Sequence, residues 1–186
     1  MNPIKYTIAE TDSDLFGILK LQRQNLASAI SREEALEQGF VTVEHDFALL
    51  KRMNEPYPHI IAKDVDIVVG YTLVMLREMR REIPVLFEMF DQIDSTVYQG
   101  RSLKDSNYVI MGQVCIAKGY RGMGIFQGLY EEMARRLKGV FDYIITEVSL
   151  KNKRSIRAHE KAGFETIKQY SSAAGEEWVI MLWKIK

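Results

Sequence analysis

Two apolar periods take turns along the chain, and their order predicts a sheet flanked by helices. IKYTIAE (residues 4–10) alternates apolar and polar positions, as a strand half-buried on a core does. Thr11 and Asp14 then match a capping box, and DLFGILKLQRQNL carries apolar residues at helical spacing. Ser31 and Glu34 repeat the capping pattern before a second helical stretch. Beyond GFVTVEHD, FALLKRMN (residues 47–54) predicts a short helix that Pro56 and Pro58 end. HIIAK and IVVGYTLVML predict two strands joined by a turn near residues 64–66. An insert of roughly residues 77–105 separates them from the strand NYVIMGQVCIAK. A glycine loop, a helix to about Lys138, the strand FDYIITEVSL and the short helix of NKRSIRAHEKAGF follow. ETIKQY and EWVIMLWKIK predict closing strands. The expectation is one domain over residues 1–186, α+β in class (α/β three-layer), with a mixed, mostly antiparallel sheet. One βαβ unit stands out: strand 108–118, helix 125–138, strand 142–150.

The loop inside that unit carries the candidate chemistry. YRGMGIFQGLYEEMARRL passes from glycines straight into an amphipathic helix. A helix start leaves backbone N–H groups without partners and carries partial positive charge. Glycines let a ligand approach that backbone, so the combination favours a phosphate or pyrophosphate. Glu131 and Glu132 early in the helix, with Arg135, Arg136 and Lys138 near its end, agree with the dipole. A Walker loop is excluded, because no Gly-Lys-Ser/Thr follows. A dinucleotide loop is excluded by the G-x-G-x-x-x-G spacing of Gly122, Gly124 and Gly128. From spacing alone, an anion site and a tight turn with packing glycines both remain.

Composition narrows the classes. Formal net charge is zero over 186 residues, 47% hydrophobic and 27% charged, which does not favour a large nucleic-acid or anionic-membrane surface. The single cysteine, Cys115, forms no intramolecular disulfide and lies in the apolar run VIMGQVCIA, where a buried small hydrophobe is the plainer reading than a catalytic thiol. His45, His59 and His159 are scattered and no second cysteine exists, so no metal is expected. No apolar run reaches membrane-spanning length, and the N-terminal residues show no signal-peptide core, so a reduced, cytoplasmic protein is expected.

Two segments together resemble the Gcn5-related N-acetyltransferase (GNAT) superfamily. VCIAKGYRGMGIFQGLY resembles its motif A, Q/R-x-x-G-x-G/A after an apolar strand; Arg121, Gly122, Met123 and Gly124 fit, and Phe126 replaces the last small residue. EVSLKNKRSIRAHEKAGFE resembles motif B, an Asn followed by a short helix ending in Gly-Phe, here Asn152, residues 155–162, and Gly163-Phe164. The resemblance covers the last half of the chain well; the first half matches only in the order of its elements.

The resemblance implies an acyl-CoA-dependent N-acyltransferase, most often acetyl-CoA to an amine by direct attack. It implies a pyrophosphate on the amides of Arg121, Gly122, Met123, Gly124, Ile125 and Phe126, with a charge-assisted contact from Arg121. Val114, Cys115 and Ile116 would pair through their backbone with the pantetheine arm. The thioester would enter a splayed gap between strands 108–118 and 142–150, with Asn152 contacting the pantetheine or the helix. The basic run Lys151, Lys153, Arg154 and Arg157 fits a solvated face, or a contact from one of them, Arg154 among them, to the 3′-phosphate. In many members a tyrosine four places before the Gly-Phe glycine serves as the acid; here that place holds His159. For the base the candidates are Glu147 and Tyr108, with Gln113 able to orient a water. The acceptor is expected to be a small-molecule amine. EIPVLFEMFDQID (residues 82–94) either offers unpaired acids to a cationic amine or covers the sheet with Phe87, Met89, Phe90 and Ile93. A homodimer fits the resemblance, with the apolar strand EWVIMLWKIK at an edge or interface. A non-catalytic acyl-CoA-binding or sensing domain of the same fold is the alternative, and an unrelated phosphate-binding α/β protein a third reading.

Overall fold

Chain order and spatial order part company in the sheet. The computed structural model describes residues 3–185, apart from the side chains of Arg32, Ala35 and Leu36. Its seven-stranded sheet runs β1 (Lys5–Ile8), β2 (Ile60–Asp64), β3 (Ile67–Met75), β6 (Tyr108–Ile116), β7 (Tyr143–Ser149), β9 (Glu177–Lys184), β8 (Glu165–Ser171). Only β6 and β7 pair in parallel. The helix between them, α5 (Ile125–Leu137), is the crossover that a parallel pair needs. β9 lies inside the sheet, between β7 and β8. That corrects the placement of EWVIMLWKIK at an edge: the outer strand is β8, whose Glu165, Lys168 and Gln169 suit an edge better.

Helices cover both faces. α1 (Asp12–Arg23) and α3 (Phe47–Met53) pack on one, burying Ile18, Leu19 and Leu50 against Tyr71 and Ile110. The capping box forms as expected: Thr11 Oγ1 accepts from the Asp14 N–H, and Asp14 accepts from the Thr11 N–H. Asp14 also meets Lys63 on β2 at 2.5 Å, which fixes the helix to the sheet. α5 and α6 (Lys153–Ala162) cover the other face. Leu129, Tyr130 and Met133 of α5 are fully buried, each worth roughly 1.5–3 kcal/mol of apolar transfer. Gly128 belongs to this packing, since a Cβ there would lie 2.3 Å from the Tyr6 ring of β1.

The insert folds onto the first face as α4 (Phe87–Asp94) and a small hairpin, β4 (Val97–Tyr98) with β5 (Arg101–Ser102). Met89, Phe90 and Ile93 are buried, so this stretch does cover the sheet, while Phe87 is half exposed. Three of its four acids are ion-paired: Asp94 holds Arg77 and Arg80, Asp91 holds Arg80, and Glu82 holds Arg52, while Glu88 accepts from the Ala173 N–H. The cations lie outside the stretch itself, which is why it looked uncompensated. α2 (Arg32–Gln38) stands apart, beside the glycine loop and α6.

Candidate functional site

The site begins where β6 and β7 part. They pair over three residues, Tyr108–Tyr143 to Ile110–Ile145, and then diverge. β6 carries an irregularity against β3 between the Thr72–Val114 and Val74–Met111 pairs, which places Gly112 and Gln113 in a bulge. A bulge bends and twists its strand, and this one lies just past the last β6–β7 pair. Thr146 spans the mouth of the gap, its hydroxyl donating to Met111 O at 3.2 Å.

Beyond the gap β6 runs into the glycine loop. Gly122 (φ 79°) and Gly124 (φ 78°) are left-handed, and an added Cβ at either would meet nothing within 4 Å. Gly124 caps α5 without any side chain bonding the first amides. An uncapped helix start beside open backbone is an anion cradle. A cleft of about 530 Å³ opens on the cradle and the end of β6, walled by Val114, Cys115, Ile116, Arg121, Gly122, Gly124, Ile125, Phe126, Asn152 and Arg154. Every cofactor residue expected from the sequence is therefore on this wall except Met123, which is 43% exposed. The bulky Phe126 fits because its ring turns into an aromatic cluster with Tyr130 and His159, both with centroids 5.0 Å away, leaving its backbone at the helix start.

The Arg121 contact differs from expectation, while Asn152 makes the helix contact among its two expected ones. Arg121 is engaged within the protein: it donates to Asn25 Oδ1 (2.6 Å), Ile116 O (3.3 Å) and Glu34 Oε1 (3.3 Å). Asn152 caps α6 by accepting from the Ser155 N–H at 3.1 Å, and donates to Phe40 O at 3.4 Å. Arg154 reaches Glu37 O at 3.3 Å. Of the rest of the basic run, Lys151, Lys153 and Arg157 are exposed.

The two faces of the gap have different chemistry. On the α5–α6 face His159 is 1% exposed and both ring nitrogens are used: Nδ1 lies 2.8 Å from Ser155 O and Nε2 2.7 Å from Tyr130 Oη. A carbonyl only accepts, so Nδ1 carries the proton and Nε2 accepts from the tyrosine. Burial lowers its pKa to about 4, so the ring is neutral at pH 7. On the α1 face Glu147 accepts a hydrogen bond from Tyr170 of β8. Burial, with smaller contributions from Glu88 and Glu176 against the Tyr170 bond, pushes Glu147 up to about 7. Glu147 shares a pocket of about 80 Å³ at the gap with Thr146, Ser149, Gln113 and Trp178.

The other candidates are placed elsewhere or are fully engaged. Tyr108 lies at the closed end of the gap, under Arg77, and its hydroxyl is 3.4 Å from Asp94. Gln113 accepts from Gln22 and Tyr71 and donates to Val43 O. Cys115 is buried with its thiol pushed up to about 12, so it is protonated at neutral pH. Among the described residues no cluster of three or more His, Cys, Asp or Glu could hold a metal, and no helix is long and apolar enough to cross a membrane. Sequence reading missed Tyr170, Trp178, Asn25 and Glu34, which reach the site only through tertiary contacts.

A diverging parallel pair fed by a glycine-cradled helix start defines an acyltransferase-type fold. Residues 23–164 match the family model of the acetyltransferase (GNAT) family, and the chain belongs to that family. No curated protein sequence matches it. Its fold is similar to the ribosomal-protein-S18-alanine N-acetyltransferase from Escherichia coli (14% identity, 99% of this chain and 95% of that one, TM-score 0.63). It is similar to a phosphinothricin acetyltransferase from Sinorhizobium meliloti solved with acetyl-CoA (19%, 98% and 88%, TM-score 0.63). It is also similar to a chain of the NatC complex bound to Gag peptide and CoA (14%, 98% and 99%, TM-score 0.65).

Proposed function

We propose that the protein transfers an acetyl group from acetyl-CoA to a primary amine of a small molecule. The observation that carries this reading is a pair of adjoining hollows: the cleft at an uncapped, glycine-flanked helix start and the smaller pocket at the strand gap, which holds an ionisable carboxyl, share Phe40, Val41, Val114, Asn152 and Ser155 as walls. Acetyl-CoA, when bound, supplies an activated thioester. The amides of residues 122–126 hold its phosphates, and the backbone of Val114, Cys115 and Ile116 pairs with the pantetheine arm. Glu147, with a pKa near the operating pH, takes the proton of the attacking amine, directly or through a water, as the new C–N bond replaces the thioester C–S bond, with the departing thiolate protonated from solvent. Tyr170 positions that carboxylate.

His159 is assigned a structural part. Its one ring proton goes to Ser155 O, and it is neutral at the pH where a thiolate would need an acid. That same feature favours the second reading, a non-catalytic acyl-CoA-binding or sensing domain. A homodimer in the cytoplasm is the state we expect, to be checked by sedimentation and fractionation.

Thermal unfolding with acetyl-CoA, CoA and ATP tests the cofactor. A ligand at a hundredfold excess over Kd stabilises by about 2.7 kcal/mol. Shifts with both CoA species and none with ATP support the proposal and open an amine screen by thiol release. No shift with either CoA species refutes it, and CoA binding without turnover of any amine leaves the sensing domain.

A further inference from the structure

The cations beside the glycine cradle already lean on an anion supplied by the protein. The Arg121 side chain is only 14% exposed, fixed by two neutral acceptors, Asn25 Oδ1 and Ile116 O. Its charge is met from α2, by Glu34 Oε1 at 3.3 Å. Lys118, from the same loop, reaches Glu34 Oε2 at 3.0 Å. One carboxylate of a short helix thus takes both.

The other end of the same segment is tied to the opposite bank. Arg154 donates to Glu37 O, and Asn152 donates to Phe40 O. Gln38, Gly39, Phe40 and Val41 wall the cleft between the two banks. A hollow of about 290 Å³ lies beneath, lined by Glu34, Glu37, Gln38, Lys118 and Arg121. Among the described side chains of the segment, the Glu34 carboxylate is what ties the glycine-loop end across this charged hollow.

We infer that residues 32–41 form a strap over the cleft, latched by Glu34 as an internal stand-in for a ligand's anion, and that a diphosphate-bearing ligand opens the latch by taking over Arg121 and Lys118. The inference rests on the reading of the cleft as an acyl-CoA site. The guanidinium does not have to move, since Asn25 and Ile116 hold it, so exchange of one anion for another costs little reorganisation. Latching also taxes affinity, because the ligand's apparent Kd rises by the inverse of the fraction of molecules that are open.

The test compares wild type with Glu34→Gln and with Glu37→Gln, which removes the same charge from the hollow but leaves the latch. CoA and inorganic pyrophosphate are the probes, with affinity and association rate measured by stopped flow and hydrogen exchange followed over residues 32–41. The expected result is about tenfold tighter and faster CoA binding by E34Q, raised exchange over the strap without ligand, and wild-type behaviour for E37Q. Equal affinity and exchange in wild type and E34Q, or the same gain in E37Q, overturns the latch while leaving the CoA reading standing. Absence of CoA binding in every protein overturns both.

Discussion

The Tyr170 hydroxyl donates to the Glu147 carboxylate across the intervening strand β9. This pair sets the protonation of the one carboxyl at the strand gap. Glu147 is pulled up by burial and by Glu88 and Glu176, and down by the phenol. Glu176 is itself approached by Lys151 at 3.8 Å and by the Ser149 hydroxyl, Glu88 accepts from the Ala173 N–H, and among the described residues no cation pairs with Glu147. As a base it works when deprotonated. kcat/KM should therefore rise with pH through about 7, and E147Q should lose that limb and 10²–10⁴-fold of rate. A wild-type profile flat from pH 6 to 8 would remove Glu147 from the role.

Stability gives an independent reading of the same group. A carboxyl whose pKa is raised on folding binds its proton more tightly in the native state, so its contribution is fully present below its unfolded pKa and is lost as pH rises through about 7. At 1.36 kcal/mol per unit the cost above pH 7 is on the order of 3 kcal/mol. E147Q should accordingly raise Tm by several degrees at pH 8 and leave it nearly unchanged at pH 4. Calorimetry at the two pH values measures this.

Tyr170→Phe separates positioning from bulk. The phenol stabilises the charged carboxylate, so its loss should move the rising limb of kcat/KM to higher pH, while CoA affinity stays put. A limb that does not move, with Tm lowered alone, would make Tyr170 a packing residue.

The three histidines, which looked like scattered polar residues, turn into an acid-lability prediction. His45 and His59 are buried and lowered by that burial to about 4 and about 3, and His159 to about 4. Each has its partners: His45 with Gln22, His59 with Leu50 O and the Val74 N–H, His159 with Ser155 and Tyr130. A depressed folded pKa means the unfolded chain binds the extra protons, so stability is lost as pH falls below the unfolded value of about 6.5. By pH 5 each costs on the order of 2 kcal/mol. Tm should fall steeply between pH 6.5 and 5, and replacing His59 by a neutral residue would flatten the fall if the mutant folds.

Much of the site was legible because its signals are local. The glycine loop, the helix it opens and the Asn-to-Gly-Phe segment are each contiguous, and the loop presents backbone groups, so Phe126 fits where the motif has a small residue. The gap was legible too, as two strands around one crossover helix. What stayed hidden depends on residues far apart in the chain. Arg121 meets Glu34 across 87 positions, so its charge looked available for a ligand. His159 stands where the family's acid does, and only the fold brings Tyr130 and Ser155 onto its two nitrogens. β9 looked like an edge because chain order does not reveal that β8 lies outside it, although the polar residues of β8 carried that signal.

His159→Phe decides between the two uses of that histidine. If it holds the aromatic cluster, the change leaves the buried Tyr130 hydroxyl without its acceptor, at about 1–3 kcal/mol. Tm should drop by several degrees, while kcat/KM at pH 7.5 and 20 °C stays within about threefold. A loss of 10²-fold or more in kcat at unchanged KM and CoA affinity would mean that His159 delivers the proton to the leaving thiolate. Glutamine at the same place accepts from Tyr130 through its carbonyl oxygen but has no proton to deliver at neutral pH. H159Q should thus recover most of the lost Tm if the role is structural, and recover none of the rate if the role is catalytic.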